Sequence, residues 1–156
     1  MQIFPNLAAF SAFAGQELGT TDWMTISQAQ IQQFADATGD HQWIHLDTER
    51  AARESPYKTT IAHGFLTLSL APQLLATLYR VESVRMGINY GANKVRFTNA
   101  VPSGSQVRMK AWLNGVEPQP GADGAAGVRA IIECVFEVDG KAKPACIAEL
   151  IMLLFE

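Results

Sequence analysis

The chain has 156 residues, 48% of them hydrophobic and only 17% charged, with a net charge of -3. That length fits one domain of ordinary size, so 1–156 is expected to fold as a single unit. A mildly acidic chain offers no broad electropositive field to nucleic acid or an anionic membrane, and a charged fraction below the roughly 25% typical of soluble domains implies apolar surface hidden in a subunit interface.

In chain order, Met1-Gln2-Ile3-Phe4-Pro5 carries no basic residue ahead of its apolar stretch, and polar Gln16 and Glu17 soon follow, so no secretory signal is expected. No uninterrupted apolar run of about 18 residues suggests a membrane span, and a cytoplasmic location is the expectation. Ser27-Gln28-Ala29-Gln30 has the form of a capping box, which predicts a helix start. Ile31, Phe34, Ala35 and Thr38 recur at helical spacing, and Gly39 stands where a left-handed residue ends a helix. Asp40 then opens a loop tied to that terminus. Asp47 can cap a second, short helix through Thr48, Glu49, Arg50, Ala51 and Ala52, which stops before Ser55-Pro56 because the residue ahead of proline resists helical geometry. The loop from Asp40 to Asp47 is thus clamped at both ends.

From about Ala62 to Leu78 the chain is apolar on nearly every side, through Phe65, Leu66, Leu68, Leu70, Ala71, Leu74, Leu75 and Leu78. Such a pattern predicts a buried rather than an amphipathic helix, bent or divided at Pro72. The remainder turns to period two: Val107, Met109, Ala111 and Leu113, then Val128, Ala130, Ile132, Cys134, Phe136 and Val138, alternate with polar neighbours as half-buried strands do. Between them Glu117 to Gly127 reads as a flexible loop. Asp139-Gly140 marks a hairpin turn, and Cys146, Ala148, Leu150, Met152 and Leu154 form the apolar face of a last strand. Cys134 and Cys146 read as buried reduced thiols. One apolar helix ahead of several antiparallel strands gives an α+β domain in which a sheet wraps that helix.

The chemistry concentrates in two places. Asp40 and His45 put a carboxylate and an imidazole on one short loop, and Ile61-Ala62-His63-Gly64-Phe65 puts backbone N–H groups at the start of the apolar helix. That set suits adding water to a polarised carbonyl compound. Singly, an Asp after a helix-ending Gly is a loop former and a His near an apolar run is packing; their joint occurrence with the His-Gly element favours catalysis. His63 reads as a brace for the loop before the helix, and His41 as exposed. His41 and His45 beside Asp40 mimic a helical metal pair, but Gly39 interrupts any helix through them and no third ligand is in view, so no metal is expected. No nucleophile elbow, phosphate loop or dinucleotide fingerprint is present, and no bound cofactor is expected.

Gly39-Asp40 with His45 and Asp47, then Ala62-His63-Gly64-Phe65, then Asn89-Tyr90-Gly91 with Asn93-Lys94-Val95-Arg96-Phe97, together resemble the MaoC-like R-specific enoyl-CoA hydratases, especially the branch related to nodulation protein N. The resemblance runs from about Gly15 to the C-terminus. It implies a hot-dog fold, a homodimer joined sheet edge to sheet edge, and acyl thioesters of coenzyme A as substrates. It also implies that Asp40 and His45 are the catalytic pair and Gly64 the oxyanion donor. Gln42-Trp43 replaces the widespread Asn-Pro, leaving Gln42 a longer amide to offer the substrate. Tyr57-Lys58 replaces Phe-Gly, and Pro72 replaces a site-lining serine, so Thr67 and Ser69 are the candidates for the pocket wall. Lys58, Arg85, Lys94 and Arg96 are the cations available to the phosphates of coenzyme A. An acyl-CoA thioesterase or a non-catalytic acyl-binding subunit are the alternatives, since one fold hosts several activities; intact Asp40, His45 and Gly64 favour hydration.

Overall fold

Long antiparallel strands from the second half of the chain build the frame, in a computed structural model that describes residues 1–122 and 124–156. The elements in order are β1 (Gln2–Phe4), α1 (Leu7–Ala12), β2 (Gln16–Thr20), β3 (Met24–Thr25), α2 (Gln28–Thr38), α3 (Trp43–Leu46), α4 (Thr48–Glu54), α5 (Gly64–Ser69), α6 (Ala71–Leu78), β4 (Tyr79–Val81), β5 (Met86–Phe97), β6 (Gln106–Pro118), β7 (Gly127–Val138) and β8 (Cys146–Phe155). The main sheet runs β2-β6-β7-β8-β5, with β3 also on β6, while β1 and β4 form a small parallel pair. In β7 every second residue from Val128 to Val138 is buried, because successive side chains point to opposite faces and one face meets the core. Into that face pack Leu66, Leu70, Ala71, Leu74, Leu75 and Leu78 of the α5–α6 segment. An antiparallel sheet wrapped around a central helical segment is the hot-dog arrangement. Among the described residues, no helix is long and apolar enough to cross a membrane.

The local signals at the start of the chain's first long helix hold in detail. Ser27 Oγ accepts from the Gln30 amide while Gln30 Oε1 accepts from the Ser27 amide, and Gly39 ends α2 at φ 80°, a region that a residue without Cβ enters at little cost. Asp47 caps α4 by accepting the Arg50 amide at 2.9 Å.

The central segment divides beside Pro72 as expected: it is two helices, broken at Leu70, with Pro72 in the first turn of α6, where its missing N–H costs nothing. Three other expectations need correction. The segment is not buried all round: Phe65, Ser69, Pro72, Gln73, Ala76 and Thr77 are exposed, so one stripe faces away from the sheet. The clamped loop contains a single helical turn, α3, that carries His45. Finally, Glu117 and Pro118 continue β6 and Gly127 already belongs to β7, so the intervening loop is shorter than its Pro and Gly content suggests; proline is tolerated there because it stands at the strand's end. Asp123 of that loop lies outside the described residues.

Candidate active site

Three short stretches converge on one cluster. Gly39 turns the chain so that Asp40 leaves α2 with its side chain 57% exposed. Its Oδ1 accepts weakly from the Gln42 amide at 3.4 Å, and its backbone carbonyl accepts from His63 Nε2 at 2.9 Å. The Asp40 carboxylate itself stands 4.0 Å from the same nitrogen, too far for a hydrogen bond. His45, buried on α3, donates from Nδ1 to the Ile61 carbonyl at 2.6 Å. A carbonyl can only accept, so the Nδ1 proton is fixed and Nε2 of the neutral ring keeps a free lone pair. Burial disfavours the imidazolium more than the Ile61 carbonyl and the Asp40 carboxylate favour it, and nearby His63 opposes it too, so the His45 pKa lies below its ordinary value.

His63 is buried behind His45, its ring stacked on the His45 ring with centroids 3.8 Å apart and flanked on another side by Phe34. Because its Nε2 donates to Asp40, its Nδ1 is a bare acceptor, and no donor reaches it among the described residues. Asp40, His45 and His63 bring potential ligand atoms within 4.8 Å of one another, so folding supplies the third donor that the sequence did not display. An ion bound through His63 Nε2 would displace its bond to Asp40, whereas the unpartnered Nδ1 keeps a lone pair that needs no such exchange.

Gly64 is the first residue of α5. No side chain caps that terminus, and the Gly64 amide has no acceptor among the described residues, which leaves a donor at the positive end of a helix. The absent side chain matters sterically: a Cβ on Gly64 would fall 2.7 Å from Cγ of Phe97. His45, Gly64 and Thr67 line one cleft of about 260 Å³, together with Tyr57, Phe97 and Asn99. Tyr57, Phe97 and Asn99 were not among the expected wall residues, although Phe97 closes a motif that carried the family resemblance.

The other expected residues fall elsewhere. Gln42 is exposed at the start of α3, and His63 stands behind the cleft wall. Ser69 donates to the Phe65 carbonyl at 2.7 Å and lines a separate hollow of about 180 Å³ with Leu68, Pro72, Asn89 and Met152. The last three of these also line a larger, mostly apolar hollow of about 410 Å³ beside Leu75 and Leu154. That one is bigger than the cleft but contains neither His45 nor Gly64. Of the four cations, Lys58 and Arg96 adjoin the cleft residues Tyr57 and Phe97, with Lys58 in the left-handed region at φ 59°. Arg85 borders a different hollow, near Phe155, and Lys94 pairs in register with Glu149.

Sheet and central helices define a hot-dog protein in which His45 and Gly64 line one cleft, with the Asp40 carboxylate close to His45 but not among the residues that line it. The chain belongs to the MaoC-like dehydratase family: the model of the MaoC like domain matches residues 9–132. It is 51% identical over 152 residues to 3-hydroxyacyl-thioester dehydratase Z of Mycobacterium tuberculosis, covering 97% of each chain. Nodulation protein N of Rhizobium leguminosarum bv. viciae is 41% identical over 150 residues, 96% of this chain and 91% of that one. Among solved structures, the (R)-hydratase from A. caviae involved in PHA biosynthesis shares the fold at a TM-score of 0.67 and 22% identity, over 89% of this chain and 94% of that chain.

Proposed function

We propose that this protein is a hydro-lyase that interconverts trans-2-enoyl and (R)-3-hydroxyacyl thioesters of coenzyme A, folded as one domain over 1–156 and working in the cytoplasm as a homodimer. The observation that carries the reading is the His45 tautomer: the Ile61 carbonyl holds Nδ1–H and leaves Nε2 basic, on a residue that lines the same cleft as Gly64 with its unpaired amide. In hydration, His45 Nε2 and the Asp40 carboxylate hold a water, and its oxygen bonds to the β-carbon as its proton passes to the pair. The electron pair of the alkene moves onto the thioester oxygen, where the Gly64 amide and the helix terminus stabilise it. Collapse of that enolate takes the proton back at the α-carbon, so one water is added and the pair is regenerated. A positioned acid or base contributes roughly 10²- to 10⁴-fold, and one oxyanion donor about 3 kcal/mol.

Thr67 lies on the cleft wall against the thioester, Gln42 offers its amide at the rim, and His63 supports His45 from behind. The hollows along α5 and α6, which share Pro72, Asn89 and Met152, have walls suited to an acyl chain, with Ser69 beside the nearer one. Lys58 and Arg96 suit the phosphates of coenzyme A. The free thiols Cys134 and Cys146 fit a reducing compartment.

The test is to mix the protein with a short trans-2-enoyl-CoA and follow both the conjugated absorbance and free thiol. Loss of conjugation without thiol release, yielding the R alcohol, is expected. Thiol release would make the protein a thioesterase instead, and binding without either change would make it an acyl-binding subunit.

A further inference from the structure

His45 sits on α3, a helix of four residues, and one turn cannot hold its own geometry in water. Its carbonyls therefore need outside partners. The Trp43 carbonyl accepts the Asp47 amide at 2.9 Å and the Ile44 carbonyl accepts the Ile61 amide at 3.1 Å. The His45 carbonyl is taken by a side chain from another element: Gln28 Nε2, at the first position of α2, donates to it at 2.7 Å. Gln28 Oε1 in turn accepts from the hydroxyl of Thr60 at 2.5 Å, and Thr60 is only 1% exposed.

This relay runs in a single sense. The His45 carbonyl can only accept, so the Gln28 NH₂ must face it, which turns Oε1 toward Thr60 and makes the hydroxyl the donor. Thr60 is also the neighbour of Ile61, whose carbonyl fixes the His45 ring. One dipeptide thus registers both the main chain of His45, through Gln28, and its imidazole, directly. That dipeptide and the residue after it are themselves anchored: the Ser103 amide donates to the Thr60 carbonyl at 2.9 Å, and the Ala62 amide to the Val101 carbonyl at 2.8 Å.

We infer that Gln28 and Thr60 are positioning residues that hold α3 so that the His45 ring keeps its proton on Nδ1 and its lone pair on Nε2. Neither touches the cleft. Without the Gln28 donor, the His45 carbonyl must seek water, α3 turns, and the 2.6 Å bond from ring to Ile61 is not kept. The ring then populates the Nε2–H tautomer, which cannot take a proton from water. The inference rests on the proposed hydratase reading for its kinetic consequence but not for its structural one.

The experiment compares Gln28→Met and Thr60→Val, both close in volume to the originals, with Thr60→Ser, which keeps the hydroxyl. For each, kcat and KM are measured on a short enoyl-CoA, and ¹⁵N chemical shifts of the His45 ring report the tautomer. Gln28→Met and Thr60→Val should lower kcat about tenfold or more, as a misplaced catalytic group does, with KM within about twofold. They should also lose the pure Nδ1–H pattern, and Thr60→Ser should retain both. Wild-type kcat and an unchanged ring pattern in Gln28→Met and Thr60→Val would overturn the inference, as would equal losses in Thr60→Ser. If one replacement does not fold, the other decides. A wild-type protein with no hydratase activity would refute the functional reading alone, because the ring pattern still decides the relay.

Discussion

At the scale of single residues, the surroundings of His45 favour its neutral form. Burial is the largest influence and lowers its pKa below 6.5, outweighing the Ile61 carbonyl that raises it. In the proposed reaction the active form is the neutral one, so kcat/KM should hold through neutral pH and fall on the acid side with an apparent pKa below 6.5. Stability follows the same sign. The unfolded chain takes up the His45 proton at higher pH than the folded chain, so this residue's contribution is complete above about 6.5 and is lost as pH falls toward the folded value. A pH–rate profile whose acid limb lies above 6.5 would contradict the assignment. Asp40, His45 and Gly64 were legible in the sequence because each stands at a local signal: a helix-ending glycine, the loop after it, and a helix start. Gln28 and Thr60 were not, since they act across 17 and 32 residues and carry no motif of their own.

Between elements, one tight constraint is where α5 begins against the end of β5. Gly64→Ala would push the Phe97 ring aside from a 2.7 Å approach, and Phe97 forms an edge-to-face pair with Phe65. A cost of about 1 kcal/mol in stability and a fall in kcat/KM of about tenfold, roughly half the worth of an oxyanion donor in free energy, are expected. Thermal unfolding should show that Gly64→Ala costs less stability in a Phe97→Ala background than in the wild type, because the ring it meets is gone. A Gly64→Ala protein as stable and active as wild type would show that the close approach has no role. β6, β7 and β8 were readable as strands because one face of each is buried and the other is not. β5 escaped the same reading: almost all of it is exposed on both faces, so no alternation is written into Met86–Phe97, and its glycines resemble turn signals. The break at Leu70 was foreshadowed by Pro72, whereas the exposed stripe on α5–α6 was hidden by apolar residues on the solvent side.

For the whole molecule, β5 is the unfinished part. It closes one end of the sheet with an outer edge that is unpaired among the described residues, and Met86, Ile88, Tyr90 and Phe97 along it are exposed. A long edge of this kind invites pairing, and light scattering should give twice the 17.0 kDa of one chain. Ile88→Lys/Tyr90→Lys, which adds charge to that edge, should shift the mass toward that of a single chain; a wild-type monomer would rule out the dimer. Such an edge cannot be inferred from composition alone, though a charged fraction of 17% already asked for hidden surface. In the proposed reaction Asp40 and His45 act as one proton-handling pair beside the Gly64 amide. The most direct measurement is the enoyl-CoA hydration rate of Asp40→Asn and of His45→Gln at saturating substrate, with thermal unfolding as the control for folding. Each should lose about 10²-fold or more in kcat at nearly unchanged stability; a folded variant that turns over near the wild-type rate would contradict the role given to that residue.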